Sequence, residues 1–166
     1  LPAILCVVSA FAGAAYSQSR RPSSISTDDF TEIQRLLYTN HTGYDFAMRD
    51  HGDLWTGTFL PDAVLDNGQT HLVGEKDIRE YSLAPLKDNP DRKFRHWTTT
   101  FHVSPHPEGA ILSAFYLTIA DTGPNRNKGI GGTGRDESLD VKTKAGWRIK
   151  QPVVYGAGGV ATRAEA

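Results

Sequence analysis

One stretch, Tyr44 to Asp66, limits the folds open to this chain more than any other. It reads as the end of one helix, a tight break, a short second helix and the start of a strand. Gly52 sits at the break. Glycine takes the left-handed conformation without a Cβ penalty, so Gly52 is expected to close the first helix. Asp53 follows as a good N-cap for a helix carrying Leu54, Trp55 and Phe59. Pro61-Asp62 stops that helix, and Ala63-Val64-Leu65 reads as a strand. Two carboxylates, Asp50 and Asp53, flank His51-Gly52, so acidic groups collect where the chain turns.

The flanking segments extend this pattern. Ser26 or Thr27 caps a long helix with Asp28 and Asp29 in its first turn, where the helix dipole favours negative charge. Phe30, Ile33, Leu37 and Tyr44 recur at helical spacing, which predicts one apolar stripe over roughly Thr27 to Asp50. Asp66-Asn67-Gly68 is a hairpin signal, and His71-Leu72-Val73 is expected to pair back. Gly74 to Leu86 reads as a third helix with Ile78, Tyr81 and Leu86 turned inward, and residues 88–91 as a loop.

From there on the chain is strand-like. Phe94 to Val103 alternates, with Phe94, His96, Thr98, Thr100 and His102 on one face and Trp97, Thr99, Phe101 and Val103 on the other. Ser104 to Gly109 is a turn, Ala110 to Ala120 an apolar strand, and Thr122 to Arg135 a Gly- and Asn-rich mobile connector. Glu137 to Lys142 and Trp147 to Tyr155 form a last pair around Lys144-Ala145-Gly146. Helices first and long antiparallel strands after them imply an α+β domain with the helices on one face of a curved sheet.

A chain of 166 residues is expected to form one domain, here over 27–156, with residues 157–166 as a frayed tail. The formal net charge is −1, so no basic field exists to attract nucleic acid or an anionic membrane. Leu1 to Ala15 is nearly all apolar, yet shorter than the ~20 residues of a membrane span. With the small-residue pattern Ala15-Tyr16-Ser17 it reads as part of a secretory signal peptide over 1–17, followed by a flexible leader over 18–26. The expected destination is secretion or the periplasm, and an uncleaved membrane anchor is the rival reading. Cys6 lies in this segment, so the mature chain would contain no cysteine for disulfides or nucleophilic catalysis.

Several chemistries lack the residues they need. Six histidines are present, but no His-x-x-x-His falls on a helix, and His102 and His106 bracket a turn, so no metal site is expected. No Gly-x-Ser-x-Gly elbow occurs. The run Gly129 to Gly134 does not lead from a strand into a helix with Lys-Ser/Thr, so it reads as a connector rather than a phosphate loop. Trp55, Trp97 and Trp147 read as core. Asp50 and His96 remain. A carboxylate on one ring nitrogen fixes the tautomer and raises the basicity of the other, which makes a general acid or base. The plainer alternative is that Asp50 closes the helix end while His96 bonds a backbone carbonyl.

From about Asp28 to Tyr155 the chain resembles the SnoaL-like branch of the NTF2-like superfamily, near scytalone dehydratase. The matching pieces are Asp50-His51-Gly52-Asp53, Phe59-Leu60-Pro61-Asp62-Ala63, Gly74-x-x-x-Ile78, Arg95-His96-x-x-Thr99 and Gly146-Trp147-Arg148-Ile149. The resemblance implies a cone-shaped α+β (cystatin-like) barrel with an apolar pocket at its open end. It implies a pocket in which Asp50 and His96 take part in proton transfer. The dehydratase has a second histidine on the following strand, where this chain offers Phe115 or Tyr116. It has a tyrosine just before the aspartate, where this chain has Arg49. A frequent tyrosine on the penultimate strand is Asp136 here.

The function expected on this basis is that of a cofactor-free lyase, dehydratase or isomerase acting on a small apolar oxygenated molecule, aromatic or polyketide-like. His96 would exchange the proton and Asp50 would orient it. Tyr44, Tyr81 or Tyr116 would bond a developing oxyanion, Trp55 and Phe59 would supply apolar wall, and Thr98 would touch substrate from the face of His96. A non-catalytic small-molecule-binding or assembly module is the second expectation, and a homodimer follows by family analogy.

Overall fold

The computed structural model describes residues 24–66, 70–90, 93–121 and 129–156. The apolar leader with Cys6, the Asn67-Gly68 turn, residues 122–128 and the tail after 156 lie outside them. Helix α1 spans Thr27–Asp45, a single 3-10 turn spans Ala47–Arg49, and α2 spans Asp53–Thr56. Strands β1 (Val64–Asp66) and β2 (His71–Val73) form a hairpin, and α3 spans Gly74–Asp88. Then come β3 (Lys93–His106), β4 (Gly109–Asp121), β5 (Gly129–Thr143) and β6 (Gly146–Gly156). These four pair antiparallel in the order β3-β4-β5-β6.

The sheet wraps α1, which touches both of its outer strands, β3 and β6. Three irregularities bend it, at Thr99/His102, Thr118/Ile119 and Leu139/Asp140. The core lies between helices and sheet: Ile33 and Leu37 of α1, Trp55 of α2, Ile78 of α3, Ala110 and Leu112 of β4, and Trp147 and Ile149 of β6. The outer edge of β6 is covered where Phe59 bridges it in parallel. Ile149 N–H donates to Thr58 O at 2.9 Å and Leu60 N–H to Ile149 O at 2.8 Å. At the other end of α1, Trp147 Nε1 (2.9 Å) and Lys142 Nζ (2.6 Å) both donate to Asp29 Oδ1. The acidic first turn is therefore a tie to the last hairpin as well as a favourable dipole interaction.

Several expectations need correction, among them the turn over Ser104 to Gly109, of which Ser104 to His106 belong to β3. The first helix stops at Asp45, not Asp50, because the chain leaves helical geometry at Phe46 (φ −120°). The Phe46 ring is held there between the guanidinium groups of Arg49 and Arg95, each 4.3 Å from its centroid. The alternation of β3 does not persist through Val103. At the bulge Thr100 takes φ +58°, and beyond it Phe101 and Val103 pack on the core while His102 is exposed. Trp97 is not core but 62% exposed on the outer sheet face. The stretch Gly129–Arg135 is strand rather than connector, since bare backbone lets it approach β4. A Cβ on Gly131 would come 2.9 Å from the Ala120 Cβ.

Among the described residues no helix is long and apolar enough to cross a membrane. Within the core Asp140 stands apart. It is fully buried between Ala110 of β4 and Ile149 of β6, and neither carboxylate oxygen has a hydrogen-bond partner. Burial pushes its carboxyl up to about 7, which the nearby Ser138 hydroxyl only partly offsets. The folded state thus keeps a proton that the unfolded chain has released by ~4. Stability is complete below that value and falls as pH rises towards 7, by at most roughly 4 kcal/mol. Urea melts at about pH 5.5 and about pH 8.5 are expected to show the upper half of this loss, roughly 2 kcal/mol, in the wild-type chain and little of it in Asp140→Asn. An equal loss in both would remove Asp140 as its source.

Candidate active site

A cavity of about 330 Å³ opens between α1, α2, α3 and the concave face of the sheet. One wall is aromatic. Trp55 packs edge-on against Tyr44 (centroids 5.4 Å apart) and Phe59 (5.0 Å), and stacks at 6.2 Å on Tyr81. Tyr44, Trp55 and Tyr81 come from α1, α2 and α3 and Phe59 from the chain just after α2, and their burial supplies much of the local packing energy. The opposite wall is polar, with His96 of β3, Tyr116 of β4, and Asp136, Glu137 and Ser138 of β5. Gly131 and Gly132 present bare backbone to the same space.

His96 is held by Asp45. Its ring Nδ1 lies 2.6 Å from Asp45 Oδ1, and its backbone N–H donates to Asp45 Oδ2 at 2.8 Å. The Asp45 side chain is only 6% exposed, so this carboxylate spends both oxygens on one residue in a dry setting. A carboxylate at Nδ1 selects the Nδ1–H tautomer of a neutral ring and routes proton exchange through Nε2. Tyr44 meets the His96 ring edge-on at 5.8 Å, and Tyr116 lies 6.0 Å from it.

A second imidazole, which the sequence reading passed over, stands beside the first. His41, on the inner face of α1, stacks on His96 with centroids 4.6 Å apart and an interplanar angle of 29°. Its Nδ1 lies 2.6 Å from Thr98 Oγ1 and its Nε2 lies 3.1 Å from Asp136 Oδ2. The Asp136 contact has ion-pair distance but lacks hydrogen-bond alignment, and that oxygen accepts no hydrogen bond. Burial, and after it the charge of Asp136 and the neighbouring Tyr81, raise the Tyr116 phenol above its ordinary value. Tyr116 is thereby kept as a hydrogen-bond donor.

Of the residues expected at the site, Tyr44, Trp55, Phe59, Tyr81, His96 and Tyr116 stand on the cavity wall. Thr98 turns to His41 instead. Asp50 does not meet His96. Its oxygens accept the N–H groups of Gly52 (3.1 Å) and Leu54 (2.8 Å), so it caps α2. Asp53, expected as that cap, is the first residue of α2 and pairs with Arg79. Gly52 is left-handed as expected, at φ +80°. The partner of His96 is five residues earlier than expected because the helix ends five residues earlier. Tyr44 directly precedes Asp45, so the tyrosine–aspartate order implied by the resemblance, absent at Arg49-Asp50, is present here. The signal for His41 was its place on the apolar stripe, four residues after Leu37 and three before Tyr44. Among the described residues no three His, Cys, Asp or Glu side chains gather to hold a metal ion.

The same fold recurs in solved structures. Aln2 from a Streptomyces species superposes with a TM-score of 0.67 at 19% identity, over 80% of this chain and 93% of its own. A cystatin-like protein of unknown function from Nostoc punctiforme gives 0.68 at 16% identity, over 84% and 99%. A candidate scytalone dehydratase from Novosphingobium aromaticivorans gives 0.67 at 16% identity, over 85% and 95%. No protein-family model matches the chain, nor does any curated protein sequence. The chain therefore has the α+β cystatin-like, or NTF2-like, fold, with a curved antiparallel sheet closed over its first helix.

The two aspartates separate cleanly by experiment. Asp45→Asn is expected to abolish the downfield proton resonance of a carboxylate-bonded His96 Nδ1–H, while Asp50→Ala leaves it in place. Asp50→Ala is instead expected to cost about 1 kcal/mol of stability as a lost helix cap. A His96 spectrum altered by Asp50→Ala and unaltered by Asp45→Asn would reverse the assignment.

Proposed function

We propose that this protein is a cofactor-independent lyase of the dehydratase type acting on a small oxygenated, largely apolar molecule, aromatic or polyketide-like. The observation that carries the reading is the His96–Asp45 pair set into the wall of an aromatic-lined cavity. Two ionisable groups taken out of water cost several kcal/mol unless they are paired, and packing hydrocarbon there would serve a scaffold better. A binding module needs the cavity and has no use for the pair. The likeness of fold to a candidate scytalone dehydratase supports the same direction.

The geometry performs the first step as follows. Trp55, Tyr44 and Tyr81 line the side of the cavity against which a substrate ring would lie with its carbonyl towards Tyr116. His96 Nε2 removes the proton from the carbon beside that carbonyl, and Asp45 stabilises the imidazolium that forms. The protonated phenol of Tyr116 donates to the oxygen on which negative charge develops. A single donor of this kind contributes ~2.7–4 kcal/mol in the transition state where it has been measured. Loss of the oxygen substituent on the next carbon completes an elimination. Return of the proton to a different carbon gives an isomerisation, so the proton-abstraction half is common to both outcomes.

His96→Ala is expected to abolish turnover, at least 10²-fold, in a protein that is still folded at the assay temperature but melts lower than wild type, because Asp45 loses its ring partner. Tyr116→Phe is expected to lower kcat more than it raises KM. A panel of aromatic and polyketide-like hydroxy ketones, ranked by thermal shift and followed by product analysis, supplies the substrate. Wild-type turnover by His96→Ala on the selected substrate would remove the proposal.

A further inference from the structure

Elimination of water needs a second proton transfer, since hydroxide is a poor leaving group. We propose that His41 is a second acid–base group of this cavity, supplied by α1, which protonates the departing oxygen of a β-hydroxy carbonyl substrate. The inference rests on the dehydratase reading above and names its substrate class. Three independent contacts point to it. The His41 ring is stacked on His96, so both imidazoles address the same small volume. Thr98 Oγ1 bonds Nδ1, and a hydroxyl can accept from a protonated nitrogen or donate to an unprotonated one, so it serves both states of a cycling histidine. Asp136 faces Nε2 at 3.1 Å with an oxygen that accepts no hydrogen bond, so a proton carried on that nitrogen has a carboxylate beside it.

The two histidines are thus set up for opposite tasks. Asp45 takes up Nδ1 of His96 from behind, through a well-aligned bond with no cavity exposure of its own, and equips Nε2 as the base. Asp136 lies on the cavity wall and meets Nε2 of His41 off line, so a substrate oxygen can take up the proton there. In the reaction His96 Nε2 takes the hydrogen on the α carbon as a proton, and the C–H electron pair becomes the new C=C bond. The bond from the β carbon to oxygen breaks with its pair on oxygen, which receives the proton from His41 Nε2 and leaves as water. The products are the α,β-unsaturated carbonyl compound and water. The proton on His96 then returns to His41 through solvent, and the enzyme is restored. The reacting hydrogen and oxygen sit on adjacent carbons, a spacing that two stacked rings can serve at once.

The test compares two leaving groups. The probes are the β-hydroxy ketone formed by aldol addition of acetone to benzaldehyde, and its O-acetyl ester, followed by ultraviolet absorbance of their common enone product. Acetate leaves without help from an acid. His96→Gln is expected to lose 10²-fold or more on both probes, because each needs the base. His41→Gln and His41→Asn are expected to lose about 10²-fold on the hydroxy ketone while staying within a few-fold of wild type on the ester. Two variants are used so that poor folding of one, read from its melting temperature, does not stand for the result. Equal losses on both probes would show His41 to be structural, and wild-type rates on the hydroxy ketone would show it idle. Either outcome overturns the inference while leaving His96 as the base. A wild-type protein that accelerates neither probe, or a His96→Gln variant as fast as wild type, would overturn the dehydratase reading itself.

Discussion

A single carboxylate joins the two halves of this molecule. Asp45 is the last residue of α1, and it bonds both the backbone N–H and the ring of His96 on the outer strand β3. An edge strand must dispose of its unpaired N–H groups. Here one of them is satisfied by the end of the helix that the sheet wraps. The same contact therefore docks the helix, covers part of an edge and presents an imidazole to the cavity. Removing the carboxylate would take the acceptor from a half-buried backbone donor and a half-buried ring nitrogen at once, and fully buried groups left so cost ~1–3 kcal/mol each.

The aromatic wall depends on that docking. Tyr44 precedes Asp45 in the chain and packs on Trp55 of α2, which in turn holds Phe59 and Tyr81. Gly43 makes this approach feasible, since a Cβ there would fall 2.5 Å from the Trp55 backbone nitrogen. Several helical segments thus meet at one corner. The polar groups of β3, β4 and β5 face them across the gap, so apolar binding surface and proton-transfer groups come from different layers of the fold.

Much of this was legible in the sequence. Element order and the α+β class follow from helical and strand periodicity, and a pocket reached by Tyr44, Trp55, Phe59, Tyr81 and Tyr116 was the expectation that the resemblance implied. His96 was identifiable from its strand face. The partner was not, because an aspartate at a glycine break is a stronger local signal than an aspartate one residue after a tyrosine. What ends the helix at Asp45 is long-range: Phe46 lies between Arg49 and Arg95, and Arg95 belongs to a strand far along the chain. Asp50 keeps the local role that its position suggests, as a cap. His41 was overlooked because a histidine on an apolar stripe does not differ in spacing from a packed one. Only its neighbours Thr98 and Asp136, brought together by sheet register, distinguish it.

The irregularity in β3 divides that strand into two parts with opposite phase. Before it, even-numbered residues such as His96 and Thr98 look inward; after it, odd-numbered Phe101 and Val103 do. The extra residue works like a shift of reading frame for side chains. Deleting the extra residue there would merge the two parts into a single alternation and still leave Phe101 and Val103 inward, whereas adding a further residue beside the bulge, with the site end of the strand held in place, would turn that hydrocarbon outward. A one-residue insertion at this point would therefore act on the binding chamber and the packed interior as coupled units, whereas substitutions on either side act on one of them alone.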